Sequence, residues 1–274
     1  AQFYREKLDR YLADWERWKL CELYARPEDF FIESLRKMAG QRTLGLNAIR
    51  ANPKIIGYSL TGMNDHVSCG EGLTTTFREL KPGTVDAMFE CLAPLRLCSF
   101  VEPVNVYRGT RVHFEVTLAN EDALPPGDYP VRLIVAGPQN QRIFERTVSV
   151  TIGKEGPFAL PVFAEDIVVD GPSGRYRFLA SLERGGAATG GEAEFYISDP
   201  SNMPPVRTTV VLAGDDAELA KWLSDHGIQC RKLANSEPVQ HEVILVSKMQ
   251  PAFDELWTRV ERGATAVFMS PEVL

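Results

Sequence analysis

Cysteine is scarce and unpatterned: Cys21, Cys69, Cys91, Cys98 and Cys230 are odd in number, widely scattered and form no C-x-x-C pair. That spacing argues against a disulfide scaffold and a zinc knuckle. The four histidines, His66, His113, His226 and His241, show no metal-ligand spacing, and no metal or cofactor is expected. No apolar run approaches the ~18 uncharged residues of a membrane-spanning helix, so a water-soluble chain with no membrane partner is the expectation. Base is in deficit. The 30 Lys and Arg stand against 37 Asp and Glu, for a net charge of −7, which argues against a nucleic-acid partner because phosphate contact needs a basic face. Neither G-x-G-x-x-G nor G-x-x-x-x-G-K-[ST] occurs, and low-complexity linkers and solenoid repeats are missing too. The sequence starts at Ala1 without a Met or a signal peptide, and the expectation is a piece of something longer.

What is present is an ordinary globular composition. Hydrophobic residues make up 44% and charged residues 24% of 274, too balanced for disorder. At ~100–200 residues per domain, the length predicts two domains or three small ones. The patterning divides the chain into 1–96, 97–204 and 205–274.

In 1–96, Phe3, Leu8, Tyr11, Leu12, Trp15, Trp18 and Leu23 recur at three- and four-residue steps, the apolar stripe of a helix. Pro27 suits the first position of a second helix, whose positive dipole end favours Glu28 and Asp29. Phe30, Phe31, Leu35 and Met38 continue that helix to about Arg50, with Gly40 as a candidate break and Asn52-Pro53 as the stop. Ile55–Leu60 reads as one buried strand opening into a polar, glycine-rich loop from Thr61 to Gly72, and Thr84–Cys91 as a short helix. A lone strand makes no sheet, so this region reads as incomplete in itself.

From 97 to 204 the period becomes two. Val112, Phe114, Val116 and Leu118 alternate with polar residues, as do Tyr129 to Val135, Val148 to Ile152, Tyr176 to Leu182, and Ala193 to Ile197. Turn clusters such as Pro125-Pro126-Gly127-Asp128 and Gly171-Pro172-Ser173-Gly174 separate them. Seven or eight short strands at this spacing predict an antiparallel β-sandwich of immunoglobulin-like type. The segment 205–274 then reads β-α-β-β-α-β: strands Thr208–Ala213, Ile228–Leu233, Val243–Ser247 and Ala264–Met269, with helices Ala217–His226 and Ala252–Arg262. That order implies a small parallel, flavodoxin-like α/β module, and its end at Ser270–Leu274, without a closing helix, reads as cut short. The fold class is therefore mixed α and β, multidomain.

The stretch Ile55 to Lys81 carries the most specific pattern: Gly57-Tyr58 on an apolar run, Thr61, Asn64-Asp65-His66, Glu71-Gly72-Leu73, then Arg78 and Lys81-Pro82. Polar groups emptied from the C-terminal end of a buried strand are how a (β/α)₈ barrel builds its active face. These residues resemble the last barrel strand and following loop of glycoside hydrolase family 2, although the Arg-to-Lys spacing is looser than in that family. The resemblance covers under ~30 residues. It implies that 1–96 is the C-terminal piece of a (β/α)₈ catalytic domain, followed by the sandwich and a partial α/β module. The parent enzyme it implies hydrolyses an O-glycosidic, β-linked bond of a carbohydrate with paired carboxylates about 5–5.5 Å apart.

It also implies that both carboxylates come from earlier barrel strands, before Ala1. No Asp or Glu here matches them, so the catalytic set of this chain is empty and the chain alone is expected to be inactive. Asn64, Asp65 and Glu71 are the candidates for lining the sugar pocket. The alternative for each is a turn role, with Asp65 and Glu71 capping turns and Asn64 taking a left-handed position.

Elsewhere the bland readings win. Gly214-Asp215-Asp216 after a strand reads as a helix N-cap, since two acids repel phosphate. The α/β module resembles class I glutamine-amidotransferase-like modules, but Cys230 sits inside a strand between Gln229 and Arg231 rather than on a nucleophile elbow. A structural role, with a homo-oligomer contact as the partner it would serve, is expected. Trp15, Trp18, Trp222 and Trp257 fall on helices and are expected to pack in cores. The rival function is a non-catalytic carbohydrate-binding or protein-interaction module built on the sandwich, where Tyr107, Tyr129 and Tyr176 lie.

Overall fold

The computed structural model describes residues 2–66, 69–233, 237–239, 241–248 and 253–269. The chain is a mixed α/β protein that separates into two compact units, 1–200 and 201–274.

The first unit opens with α1 (Gln2–Arg17), a 3₁₀ turn at Leu20–Glu22, and α2 (Pro27–Arg50). Pro27 stands at the start of α2 with Glu28 and Asp29 in its first turn. The helix runs unbroken through Gly40, the candidate break, and ends at Arg50, before Asn52-Pro53. The expected stripe of α1 forms a helix, but only Trp15 of that stripe is buried. Phe3, Leu8, Leu12 and Trp18 stay exposed because α2 covers little more than the Trp15 turn, where Tyr11, Tyr24, Phe30 and Phe31 gather.

Ile55–Leu60 is a correction. The segment forms no strand, and Ile55, Ile56, Tyr58 and Leu60 are exposed. A strand needs a ladder partner, and no described strand runs beside it. The predicted helix at Thr84–Cys91 is present as α3.

The sandwich follows as β1 (Leu95–Glu102), β2 (Asn105–Tyr107), β3 (Arg111–Asn120), β4 (Gly127–Ala136), β5 (Arg142–Ile152), β6 (Ala159–Val168), β7 (Gly174–Leu182), β8 (Thr189–Gly190) and β9 (Glu192–Ser198). One sheet has the order β6-β3-β1-β8, the other β2-β9-β7-β4-β5. In β3, β4, β7 and β9 the most deeply buried residues are among those the period-two pattern selects. Val112, Phe114, Val116 and Leu118 of one sheet meet Val131, Leu133, Phe178 and Phe195 of the other in a single core. Phe114 stands edge-on to Phe178 across the interior, with ring centroids 4.9 Å apart. Tyr176 and Tyr129 each turn a corner: their hydroxyls donate to the carbonyls of Pro172 (2.8 Å) and Pro125 (2.9 Å), four residues upstream.

Arginines lock the helices onto this sandwich. Arg96 of β1, buried, donates from Nε to Asn47 Oδ1 of α2 at 2.8 Å and from a terminal nitrogen to the Glu90 carbonyl of α3 at 3.0 Å. Arg50 donates to the carbonyls of Cys91 (2.7 Å) and Ala93 (2.9 Å) and pairs with Glu121 at 3.0 Å.

The second unit holds β10 (Val210–Ala213), α4 (Ala217–Asp225), β11 (Cys230–Lys232), β12 (Val243–Val246), α5 (Asp254–Glu261) and β13 (Thr265–Phe268). All pairings are parallel, in the order β11-β10-β12-β13. Each expected strand and helix appears one to three residues shorter, the usual fraying of element ends. The expected helix start at Ala252 and the segment Ser270–Leu274 lie outside the described residues. Val211, Ile244, Val246 and Leu256 pack on one face of the sheet, and Val210, Leu212 and Leu223 on the other, as a parallel sheet requires.

Candidate functional site

The loop that follows Leu60 is built by short bridges rather than strands. The Asp65 N–H donates to the Thr74 carbonyl at 2.9 Å, Leu73 to Met63 at 2.8 Å, and Lys81 to Leu73 at 3.1 Å. Gly72 is required at its position, because a Cβ there would lie 2.6 Å from the Asn64 carbonyl carbon and the Asp65 nitrogen. Thr84, buried at the start of α3, donates its hydroxyl to the Lys81 carbonyl at 2.9 Å.

The centre of the loop is an ion pair. Lys81, with a side chain only 5% exposed, donates from Nζ to Asp65 Oδ1 at 2.7 Å and to the Gly70 carbonyl at 2.6 Å. The same carboxylate oxygen accepts the Gly72 N–H at 2.9 Å. Arg42, from α2, donates to the Glu71 carbonyl and anchors the loop to the helix. The loop is therefore one hydrogen-bonded body fixed to α2 and α3.

The three nominated residues share this loop but have different surroundings. Asp65 turns inward onto Lys81 and Gly72. Asn64 is exposed, and its Oδ1 accepts the Thr74 hydroxyl. Glu71 is exposed; its carboxylate bends toward Gly62, with Oε1 3.4 Å from where a Gly62 Cβ would stand. It also hydrogen-bonds the Cys69 thiol, which raises that thiol above its ordinary pKa. An exposed carboxylate and amide on a fixed polar loop can accept and donate hydrogen bonds to ligand hydroxyls. Sequence reasoning noticed Lys81 only within a motif and missed Arg42; the signal for Lys81 was a cation seated before Pro82 in a run of turn residues.

A crevice opens at the carboxyl end of the parallel sheet, beside Gly214, Asp215 and Asp216. Asp216 caps α4, accepting the Leu219 N–H at 3.0 Å, and that bond lowers its carboxyl pKa. Asp215 pairs with Lys232 at 2.5 Å, which lowers its carboxyl pKa as well. Cys230 lies within β11 beside this crevice of ≈ 670 Å³. Trp15 packs in a core; Trp18, Trp222 and Trp257 are exposed, contrary to expectation, Trp18 because it falls in the turn just after α1 ends at Arg17, and Trp222 and Trp257 because they stand on outer faces of α4 and α5. Among the described residues no group of three or more His, Cys, Asp or Glu could hold a metal ion, and no helix is long and apolar enough to cross a membrane.

No protein-family model matches the chain, and no curated protein does. Solved structures give distant likenesses. A glycosyl hydrolase family 2 member from Bacteroides cellulosilyticus DSM 14838 is 14% identical over 64% of this chain and 26% of its own, with a TM-score of 0.30. The alkylpurine DNA glycosylase AlkC of Pseudomonas fluorescens, bound to DNA with an abasic-site analogue, is 16% identical over 42% of this chain and 34% of its own, with a TM-score of 0.30. The CARDB domain of the PF1109 protein from Pyrococcus furiosus, in complex with di-metal ions, is 17% identical over 39% of this chain and 90% of its own, with a TM-score of 0.27. The chain thus spans about a third or less of these two enzymes, and likeness at this level carries no argument about its fold or its role.

Proposed function

We propose that this chain is the C-terminal segment of a glycoside hydrolase acting on a β-linked O-glycosidic bond, and that the catalytic carboxylates belong to chain outside these 274 residues. In this reading 1–96 closes a (β/α)₈ barrel, 97–204 is an immunoglobulin-like sandwich and 205–274 is part of a flavodoxin-like module. The observation that carries it is the loop after Leu60, where three of the family-like residues, Asp65, Gly72 and Lys81, are joined at one ion pair. Asn64 and Glu71 remain exposed beside it. Asp65 is then a positioning residue, and Asn64 and Glu71 contact the sugar. The apolar residues left uncovered on α1 (Phe3, Leu8, Leu12) and in 55–58 (Ile55, Ile56, Tyr58) support the same reading: exposed apolar surface calls for a covering partner, and the remaining barrel would supply one.

The test is to express the reading frame together with the sequence that precedes Ala1 and assay it on aryl β-glycosides. Hydrolysis is expected from the longer protein and none from the 274-residue chain. Glu71→Gln should raise KM with little change in kcat, the signature of a ground-state contact. A preceding sequence without strand ends bearing paired carboxylates would overturn the proposal.

The rival reading, glycan binding by the sandwich, keeps one observation in its favour. Tyr107 and Tyr196 are exposed on the neighbouring strands β2 and β9, whereas Tyr129 and Tyr176 serve as corners. Calorimetric titration with oligosaccharides, with Tyr107→Ala as the control, separates the two readings.

A further inference from the structure

We infer that the sandwich carries an open strand edge that takes up a short, extended, basic peptide segment. β1 is paired with β3 along its whole length, but β8 covers its other side only at Arg96 and Leu97. The Leu95 and Leu97 carbonyls face that side, accepting from the Thr189 hydroxyl at 3.4 Å and the Gly191 N–H at 2.7 Å. Backbone groups alternate with a period of two along a strand, so Ser99 and Val101 present theirs the same way. No described strand pairs with them on that side.

The chain crosses between the two sheets at both ends of this opening. At one end Gly191 joins Leu97 to Ala180; at the other the Val104 carbonyl accepts the Tyr196 N–H at 2.8 Å. Between the crossings lies a groove of ≈ 880 Å³, roofed on one side by Thr43, Leu44 and Asn47 of α2 and walled by Phe100 and Ala193.

Three features of the groove select its occupant. The free edge from Ser99 to Glu102 accommodates about four residues at ~3.3 Å each, in the manner of strand addition. Ser99 is 2% exposed, yet its hydroxyl has no hydrogen-bond partner, a state that costs stability until a donor or acceptor arrives. The rim bears Glu102, Glu192 and Glu194, and no Lys or Arg lines the groove. Glu194 pairs with Arg175 and Glu192 stands 3.9 Å from Arg177, whereas Glu102 has no ion pair among the described residues. A cation alternating with apolar side chains matches this lining, with the apolar groups meeting Leu44 and Phe100.

The test is amide hydrogen exchange of the whole chain with the peptide Lys-Val-Arg-Val-Lys, using Glu-Val-Glu-Val-Glu as control. At about 1 mM the basic peptide should slow exchange at Ser99 and Val101, and Glu102→Lys or Leu44→Asp should weaken its binding about tenfold. Both substituted positions are exposed, and an unchanged circular dichroism spectrum confirms the fold. Four results would each overturn the proposal: no protection, equal protection by the acidic peptide, indifference to both substitutions, or slow exchange of these amides in the free chain. Protection that grows with protein concentration alone would assign the edge to a second copy of the chain instead.

Discussion

Lys81 is the residue on which the candidate site depends. Its ammonium is buried inside the loop, and two of its contacts, to Asp65 and the Gly70 carbonyl, would be lost together on substitution. Removing one partner of a buried pair leaves the other charge uncompensated, at a cost of about 3–5 kcal/mol. Lys81→Met should therefore destabilise the first unit by about 3 kcal/mol, since Asp65 keeps some access to water. Asp65→Asn/Lys81→Met should recover part of that loss, because no unpaired charge remains. Urea denaturation of the four proteins completes the cycle; equal stability of the single and double variants would show that the pair does not organise the loop. Gly72 adds a steric constraint to the electrostatic one, since the backbone of Asn64 and Asp65 occupies the space a side chain would need.

At the scale of elements, the contact of α2 and α3 with β1 is held by two arginines. Arg96 and Arg50 satisfy carbonyls at the end of α3 and just beyond it, and between them Cys98 is fully buried. Burial pushes the Cys98 thiol from 9.0 to about 11, against the opposing pull of Arg96 and Arg50. The folded chain thus holds this proton more tightly than the unfolded chain does. The stabilisation is complete below pH 9 and fades as pH rises toward 11, by up to about 3 kcal/mol at 1.36 kcal/mol per unit. Cys98→Ala should flatten that part of the pH–stability curve relative to the parent, as measured by urea midpoints across this window; identical curves would mean that the thiol ionises freely when folded.

β1 also marks the limit of legibility. Its core face and its helix face are both covered, so Leu95–Glu102 is buried almost throughout and shows no alternation to read. β6 was obscured by Pro161 and by a register shift opposite Val116 and Thr117. β4, β7 and β9, and the first half of β3, each with one buried face and one more exposed face, were plain from the sequence. Ile55–Leu60 failed for the converse reason: its composition suits a strand, but pairing is non-local and no described strand runs alongside. In the candidate loop, the turn residues were legible and the partner of Asp65 was not, because sixteen residues separate it from Lys81.

The whole molecule divides its burial between two units of unequal size. Among the described residues, the sandwich core joins 22 buried residues in one cluster, whereas the α/β unit has two smaller clusters of six and three, one on each face of a four-stranded sheet. Small domains bury a lesser share of their surface and are correspondingly marginal. The smaller unit does contain a buried ion network, in which Glu242 meets Arg259 at 3.2 Å and Arg231 at 2.8 Å, but such a network offsets its own desolvation and adds little net stability. Calorimetry of the intact chain should therefore show two transitions, the α/β unit melting first. Leu256 and Leu133 are both buried, one in each unit, and truncating either to Ala costs about 2–5 kcal/mol. Leu256→Ala should lower the first transition and leave the second in place, and Leu133→Ala should do the reverse. A single transition moved equally by both substitutions would mean that the two cores fold as one cooperative body.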